Sequence, residues 1–442
     1  MVDVDLHALL DDPAAVLRAD RSGLRDGLAD SAPGGGGRGR EVFTQAEAVF
    51  GRAEVGRAEF ASWLHFAATV LGHHEYAERV AAAEPGLPWR TVWAWWRPVG
   101  AYEAVPNLSG DRSAEVFDWQ GRALVKVWAI WCEDAWFDLA TGRRCPAPPA
   151  GEAVRREERE PVEPWLFDTE EDGWAVHCSG AWEEPMPLGE GRYLLLEARG
   201  VVVVEQNDAA LASWPRGGAD PSSWEEADDE PWFMPGTRGD GPLTAARLDE
   251  VFGADWVTRI PGDQLPDALE HPATRAVLSI LGLPRHWAAG VTSFEIADKP
   301  LLPLSTVVPE AAEEAGPAAG LPDPGDLLHL GTFEFGYGDE GTVCVDRTTG
   351  AVYVRREDDE PEPGPYPVFP LSRDVESFIR FLEGVRRHMG ACWDRYPAES
   401  GTGAFLDAMR GVDAEALEDG TPAARVWEHV FASITELSVW GY

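Results

Sequence analysis

Residues 327–356 read LLHLGTFEFGYGDEGTVCVDRTTGAVYVRR, and this stretch decides the fold of the C-terminal half. LLHLGTF, TVCVDR and AVYVRR are short, apolar and rich in β-branched residues, the make-up of strands. Asp346-Arg-Thr-Thr-Gly350 is the turn joining the last two. Between the first two lies Gly336-Tyr-Gly338-Asp-Glu-Gly341, letter for letter a dinucleotide fingerprint. That chemistry needs a helix after the glycines, so that the phosphate meets the helix N-terminus. Here a strand follows, and Asp339 and Glu340 repel phosphate, so the motif is a glycine-rich connection.

Helices flank these strands. Downstream, Val375, Phe378, Ile379, Leu382 and Val385 fall on one side of a helix. Ser372 reads as its N-cap, with Asp374 favouring the helix N-terminus. A last helix over 422–437 uses Val426, Val430, Ile434 and Leu437. Upstream, His271-Pro272 opens a helix with Pro at the first helical position. Val277, Leu278 and Leu281 supply its buried face, and Gly282 and Pro284 stop it. Leu248, Val251 and Phe252 mark a shorter helix closed by Gly253. Residues 309–326 read as a loop.

The N-terminal half differs. Residues 1–87 read as helical: Phe60, Trp63, Leu64, Ala67 and Leu71 recur at three- and four-residue steps, and Gly72 suits the helix end. From Trp89 the period changes. TVWAWWRPVG, ALVKVWAIW and YLLLEARGVVVVEQ (193–206) are strand-like, with a turn at Asp138-Leu-Ala-Thr-Gly142 and a hairpin tip at Asp172-Gly173. Eleven of the 20 tryptophans fall between Trp89 and Trp182. Of these, Trp93, Trp95, Trp96, Trp128, Trp131 and Trp136 read as core. Trp95 and Trp96 are adjacent, so in a strand they face opposite sides, which leaves one of them exposed. The whole is an α+β chain: a helical segment (1–87), a Trp-rich antiparallel β unit (88–206), an acidic Pro/Gly-rich connection (207–240) and an α+β domain (241–442).

The 442 residues hold 77 Asp plus Glu against 37 Lys plus Arg, a net charge of −40. Such a field repels nucleic acid and anionic membranes and attracts basic partners. It also serves solubility alone. Lys126 and Lys299 are the two lysines among mostly arginine cations, which with the Ala, Gly, Pro and Asp content points to a high-GC bacterial genome. The five cysteines are scattered, with no C-x-x-C pair, so a reducing compartment is expected and no disulfide framework or zinc site. The N-terminus lacks the basic and apolar regions of a signal peptide, and no apolar run approaches the roughly 18 residues of a membrane span. A cytoplasmic location is expected.

Motifs of chemistry fail on context. Asp168-Thr-Glu170-Glu-Asp172-Gly173 resembles the start of a calcium loop, but the twelfth position is Ser179 and the flanks are strand-like. His74 and Glu78 share a helix face but make half a metal site, and His73 points elsewhere. The chain lacks a zinc-deaminase signature, a G-x-S-x-G elbow and a P-loop. No catalytic, cofactor-binding or metal-binding residue is assigned, and no cofactor is expected. A site assembled from distant residues stays open.

Taken in order, the C-terminal segments resemble a known family. These are His271-Pro-Ala-Thr-Arg275 through Gly282-Leu-Pro284, Leu330-Gly331, Val343-Cys-Val-Asp346, Thr349-Gly350-Ala-Val352, Ser372 to Leu382, Asp413 to Leu417 and Trp427 to Phe431. They resemble actinobacterial immunity proteins of the SUKH superfamily, its fourth group above all. The resemblance implies an α+β domain with a mainly antiparallel sheet. It also implies an antitoxin that binds and neutralises a cognate polymorphic toxin, often a nuclease or deaminase, and is no enzyme. The family supplies no contact residues. The acidic loop of Glu357, Asp358, Asp359, Glu360 and Glu362 is the expected partner-binding site, since clustered carboxylates suit a basic toxin surface. The alternatives are an N-terminal nucleotide- or small-molecule-processing enzyme, with a polar pocket holding His177, Glu133 or Asp134, and a general binding scaffold. Residues 1–98 are faintly similar to the segment preceding WD-repeat propellers, through Leu9-Leu-Asp-Asp-Pro13 and Pro88-Trp89-Arg90. Too few blades follow to close a ring, and the oligomeric state stays open.

Overall fold

The computed structural model describes residues 6–30, 37–50, 56–98, 106, 108, 111–129, 132–156, 185–197, 199–212, 242–289, 292–308, 322–334, 340–356, 368–391 and 399–437. The chain divides into two compact units, one built on Met1–Thr237 and the other on Arg238–Gly390 and Thr402–Ser438. The α+β class expected from the sequence holds in both.

The first unit opens with helices α1 (Leu6–Leu10), α2 (Pro13–Val16), α3 (Arg21–Asp30), α4 (Arg38–Phe50), α5 (Arg57–Val70) and α6 (His74–Ala83). Helix α5 is central: Glu59 through Ala68 are all buried, because α4, α6 and the first strand pack around it. Strand β1 (Trp89–Trp96) joins β7 (Met186–Gly189), β8 (Arg192–Glu197) and β9 (Gly200–Gln206) in an antiparallel sheet of order β1-β9-β8-β7. A second antiparallel sheet has the order β5-β4-β3-β2-β6. Its strands are β2 (Arg112–Trp119), β3 (Arg122–Ala129), β4 (Cys132–Asp138), β5 (Arg144–Cys145) and β6 (Val154–Arg155). A short α7 (Asp208–Ala212) follows β9.

Three layers result. Tyr193, Leu195, Val202 and Val204 face the helices, in one cluster with Phe60, Trp63 and Leu64. Leu194, Leu196, Val201 and Val203 face the second sheet and meet Val125, Val127 and Phe137. Alternation along a strand explains the four consecutive valines: both faces of β9 are covered. The two sheets stack face to face through this second cluster.

The register of β1 shifts between Thr91 and Trp93. Without the shift, Trp89, Trp93 and Trp95 share a face. With it, Trp89 and Trp96 turn to the helices and Trp93 and Trp95 to the second sheet. Trp96 meets Phe66 edge-on at 5.4 Å, and Trp95 lies 5.0 Å from Phe137. Neither of the adjacent pair is exposed, contrary to the sequence expectation, because each sheet face has a layer over it. Buried Trp93 also fits the core reading, whereas Trp136 is half-buried on Phe117, on the face of β4 opposite the core residues Ala135 and Phe137, and Trp128 is 39% exposed. Trp131 lies outside the described residues.

The second unit holds a six-stranded antiparallel sheet in simple chain order: β12 (His286–Ala289), β13 (Thr292–Ile296), β14 (Leu327–Glu334), β15 (Glu340–Asp346), β16 (Val352–Arg356) and β17 (Val368–Ser372). Ahead of it come α8 (Ala245–Phe252), α9 (Pro272–Ala276) and a two-stranded ribbon of β10 (Val257–Thr258) and β11 (Leu283–Pro284). Helix α10 (Leu304–Val307) packs on β14. Helices α11 (Val375–Ala391), α12 (Glu399–Val412) and α13 (Pro422–Leu437) follow the sheet. Trp287, Phe294 and Phe333 of the sheet meet Phe378 and Trp427 of α11 and α13 in one aromatic core.

Two of the expected turns are in place, and the third, at Asp172-Gly173, lies outside the described residues. Asp346 Oδ1 accepts from the backbone N–H of Thr348 at 2.8 Å and of Thr349 at 2.7 Å. Asp138 Oδ1 accepts from Thr141 at 3.1 Å in the same D-x-x-T-G pattern. Gly350 requires its freedom: φ is +78°, and a Cβ there would stand 2.2 Å from His271 Nδ1. Glu340 and Gly341 begin β15, paired with Glu334 and Phe333, so the dinucleotide-like motif leads into a strand. One cap is corrected. Ser377 N donates to Asp374 Oδ1 at 2.7 Å, so Asp374 caps α11, while Ser372 still pairs with Val352 in the sheet. No helix among the described residues is long and apolar enough to cross a membrane.

Candidate partner-binding surface

Two irregular turns beside the β10–β11 ribbon present large apolar side chains to solvent. Thr244 caps α8 by accepting from Arg247 N, and Leu248, Val251 and Phe252 bury its inner face. Gly253, at φ +84°, ends the helix, and the 3-10 turn Ala254–Trp256 then leaves Trp256 58% exposed. On the partner strand, His271 caps α9, which widens into a π-turn over Val277–Leu281. Val277 and Leu278 are buried as expected, Leu281 is half-buried, and Ile280 is 63% exposed. Arg285 N donates to Trp256 O at 2.8 Å, and Arg259 Nε to Ile280 O at 3.3 Å. The two apolar residues therefore flank one small ribbon.

The charge around them is acidic. Glu250, Asp255, Asp263, Asp267 and Glu270 are exposed. Most of the nearby cations are turned to internal partners, whereas Arg285 is exposed and donates to Thr258 Oγ1 at 3.0 Å. Arg259 pairs with Asp249 at 2.7 Å, and Arg275 donates to the carbonyls of Pro266 and Leu269. Arg247 holds Glu383 of α11 through both oxygens, at 2.7 and 2.6 Å. Arg387 also pairs with Glu383 and reaches Glu250 at 3.3 Å. Arg386 donates to Val251 O, and burial pulls its pKa down to about 10. This network ties α8 to α11 and makes the ribbon's support rigid.

The acidic loop expected to bind the partner, Glu357, Asp358, Asp359, Glu360 and Glu362, lies outside the described residues, as does the calcium-like stretch 168–179. The strand ends bordering that loop, Arg356 and Val368, lie at the end of the sheet shared by Glu334 and Glu340. The ribbon leads into β12, the other outer strand of that sheet, whose first residue His286 lies in the row that runs through Glu295, Thr332, Thr342 and Arg355 to Val368. His177 is also outside the described residues, and nothing is described of the Glu133 side chain. Asp134 is exposed and ion-paired with Lys126 at 2.7 Å. His73 pairs with Glu41 at 2.9 Å. No three or more His, Cys, Asp or Glu gather into a metal-binding group among the described residues. Sequence reasoning missed Trp256 and Ile280. The signal for Ile280 was its place off the 277–278–281 face, where an isoleucine has no buried role to explain it.

The strongly shifted groups are buried ones. Burial raises Glu197 to about 7, opposed by the guanidiniums of Arg199, Arg112 and Arg97. Burial raises the Cys344 thiol to about 12, which keeps it protonated and unreactive. His388, stacked on Phe405 at 4.5 Å, is lowered by burial to about 4. His65 is lowered to about 4 by burial and by Arg90. Both imidazoles are neutral in the folded protein, so their contribution is complete above about pH 6.5 and is lost as pH falls towards 4. We expect each to remove about 3 kcal/mol across that window. Urea midpoints at pH 7.5 and 4.5 check this: the acid-side fall shrinks in His388→Phe if the assignment is right and is unchanged if it is wrong.

Residues 243–433 match the family described as SUKH-4 immunity protein, and the N-terminal half matches no family. No curated protein and no solved structure matches the chain.

Proposed function

We propose, from the SUKH-4 match over residues 243–433, that this protein is an antitoxin that binds one cognate toxin and blocks it by occlusion. The match supports an immunity function in general, and with it a protein partner. The toxin class is our reading. A nuclease-type or deaminase-type domain carries basic surface for its nucleic-acid substrate, and a chain of net charge −40 attracts such a surface. Glu357, Asp358, Asp359, Glu360 and Glu362 add to that field and speed encounter. Occlusion needs no chemistry from this chain, and the matched family is non-enzymatic. We place the end of the N-terminal part in the 207–240 connection.

Co-expression with the toxin domain encoded beside this gene tests the proposal. The expected result is rescue of growth and a co-purifying complex whose association rate falls as salt rises. The absence of both rescue and complex would overturn it.

A further inference from the structure

We propose that Trp256 and Ile280 form the apolar anchor of the surface that holds the basic toxin, set within the carboxylates Asp255, Asp263 and Asp267. This rests on the immunity reading and adds to it where the contact is made. Six large hydrophobic residues stand exposed among the described residues: Trp128, Val154, Trp256, Ile280, Leu302 and Val307. Two of them flank the β10–β11 ribbon, on 3-10 and π turns that turn them out of the core. An α-helical continuation through Val277–Leu281 keeps a regular face, whereas a single π-turn re-aims its residues and recurs at functional sites. Tryptophan is the residue most enriched among binding hot spots, which pair an apolar centre with a polar rim.

Charge selects the occupant. Asp255, Asp263 and Asp267 are exposed and make no ion pair among the described residues. Arg247 and Arg259 are neutralised by Glu383 and Asp249, Arg275 is held by backbone carbonyls, and the exposed Arg285 is outnumbered by Asp255, Asp263 and Asp267. An acidic surface selects a basic protein over a second copy of this acidic chain. The Glu383 network holds α8 in place, so the patch is preformed and binding costs little ordering. The carboxylates of 357–362 add to the long-range field that steers the toxin, while the ribbon makes the contact.

The test is binding of purified full-length protein to the toxin domain encoded beside its gene. Trp256→Ala and Ile280→Ser together are expected to weaken binding by roughly 30-fold or more, mostly through faster dissociation. Asp255→Asn, Asp263→Asn and Asp267→Asn together are expected to slow association and flatten its salt dependence. Unfolding midpoints should not move, because these side chains are exposed. Tight binding by the apolar double variant overturns the anchor and leaves the immunity reading intact. Failure of the wild-type protein to bind overturns that reading, and the anchor falls with it. If the double variant changes the sedimentation of the free protein but not its hold on the toxin, the patch is a contact between copies, and the inference is wrong.

Discussion

Replacing Glu383 with Gln is expected to lower the stability of the second unit by about 3–5 kcal/mol, the cost of breaking a buried ion pair from one side. The Glu383 side chain is 1% exposed and neutralises Arg247 and Arg387, themselves 12% and 7% exposed. An amide removes the buried charge facing both guanidiniums, of which Arg387 keeps Glu250 at 3.3 Å, and offers one acceptor oxygen where two were used. The control lies on the same helix. Arg380 and Glu376 pair at 2.9 Å with more exposure, and Glu376→Gln is expected to cost under about 1 kcal/mol. Hydrogen exchange resolved by peptide reads the result unit by unit. Amides of β13 to β16 should lose protection in Glu383→Gln and keep it in Glu376→Gln. Equal effects would mean that the network carries no special weight.

The second large effect is expected at Trp427. Its ring is fully buried, 4.5 Å from Phe381 and within 6.3 Å of Phe333, Phe378 and Phe431. Its Nε1 donates to Leu371 O of β17 at 2.8 Å. Trp427→Ala opens a cavity between sheet and helices and strips a buried carbonyl of its donor. We expect a loss of about 3–5 kcal/mol, with Trp427→Phe losing less because the ring volume is mostly kept. A urea midpoint within error of wild type for Trp427→Ala would show that α13 is not part of this core.

Much of this architecture was legible because it rests on local pattern. The β-branched runs, the D-x-x-T-G turns and the helix faces at Phe60 to Ala67 and Val375 to Val385 each announce an element through spacing or turn chemistry. What was not legible depends on neighbours distant in sequence. The bulge in β1 that sorts four tryptophans between two layers has no local signature, because its cause is the two surfaces they must fill. The exchange of Ser372 for Asp374 as a cap follows from where β17 ends, which its partner strand decides. The candidate surface was the least legible part. Charge density drew attention to Glu357 through Glu362, whereas exposure, visible only once the chain is folded, drew it to Trp256 and Ile280. The Glu383 network likewise joins residues 136 positions apart that no motif connects.

The central claim is neutralisation by binding. Its most direct measurement titrates the activity of the purified toxin domain encoded beside this gene with the full-length protein. The account predicts complete loss of toxin activity at a fixed stoichiometry, without turnover, and recovery of both proteins intact when the complex is taken apart. Toxin activity that persists at saturating protein, or that is lost at far below stoichiometric amounts, would contradict it.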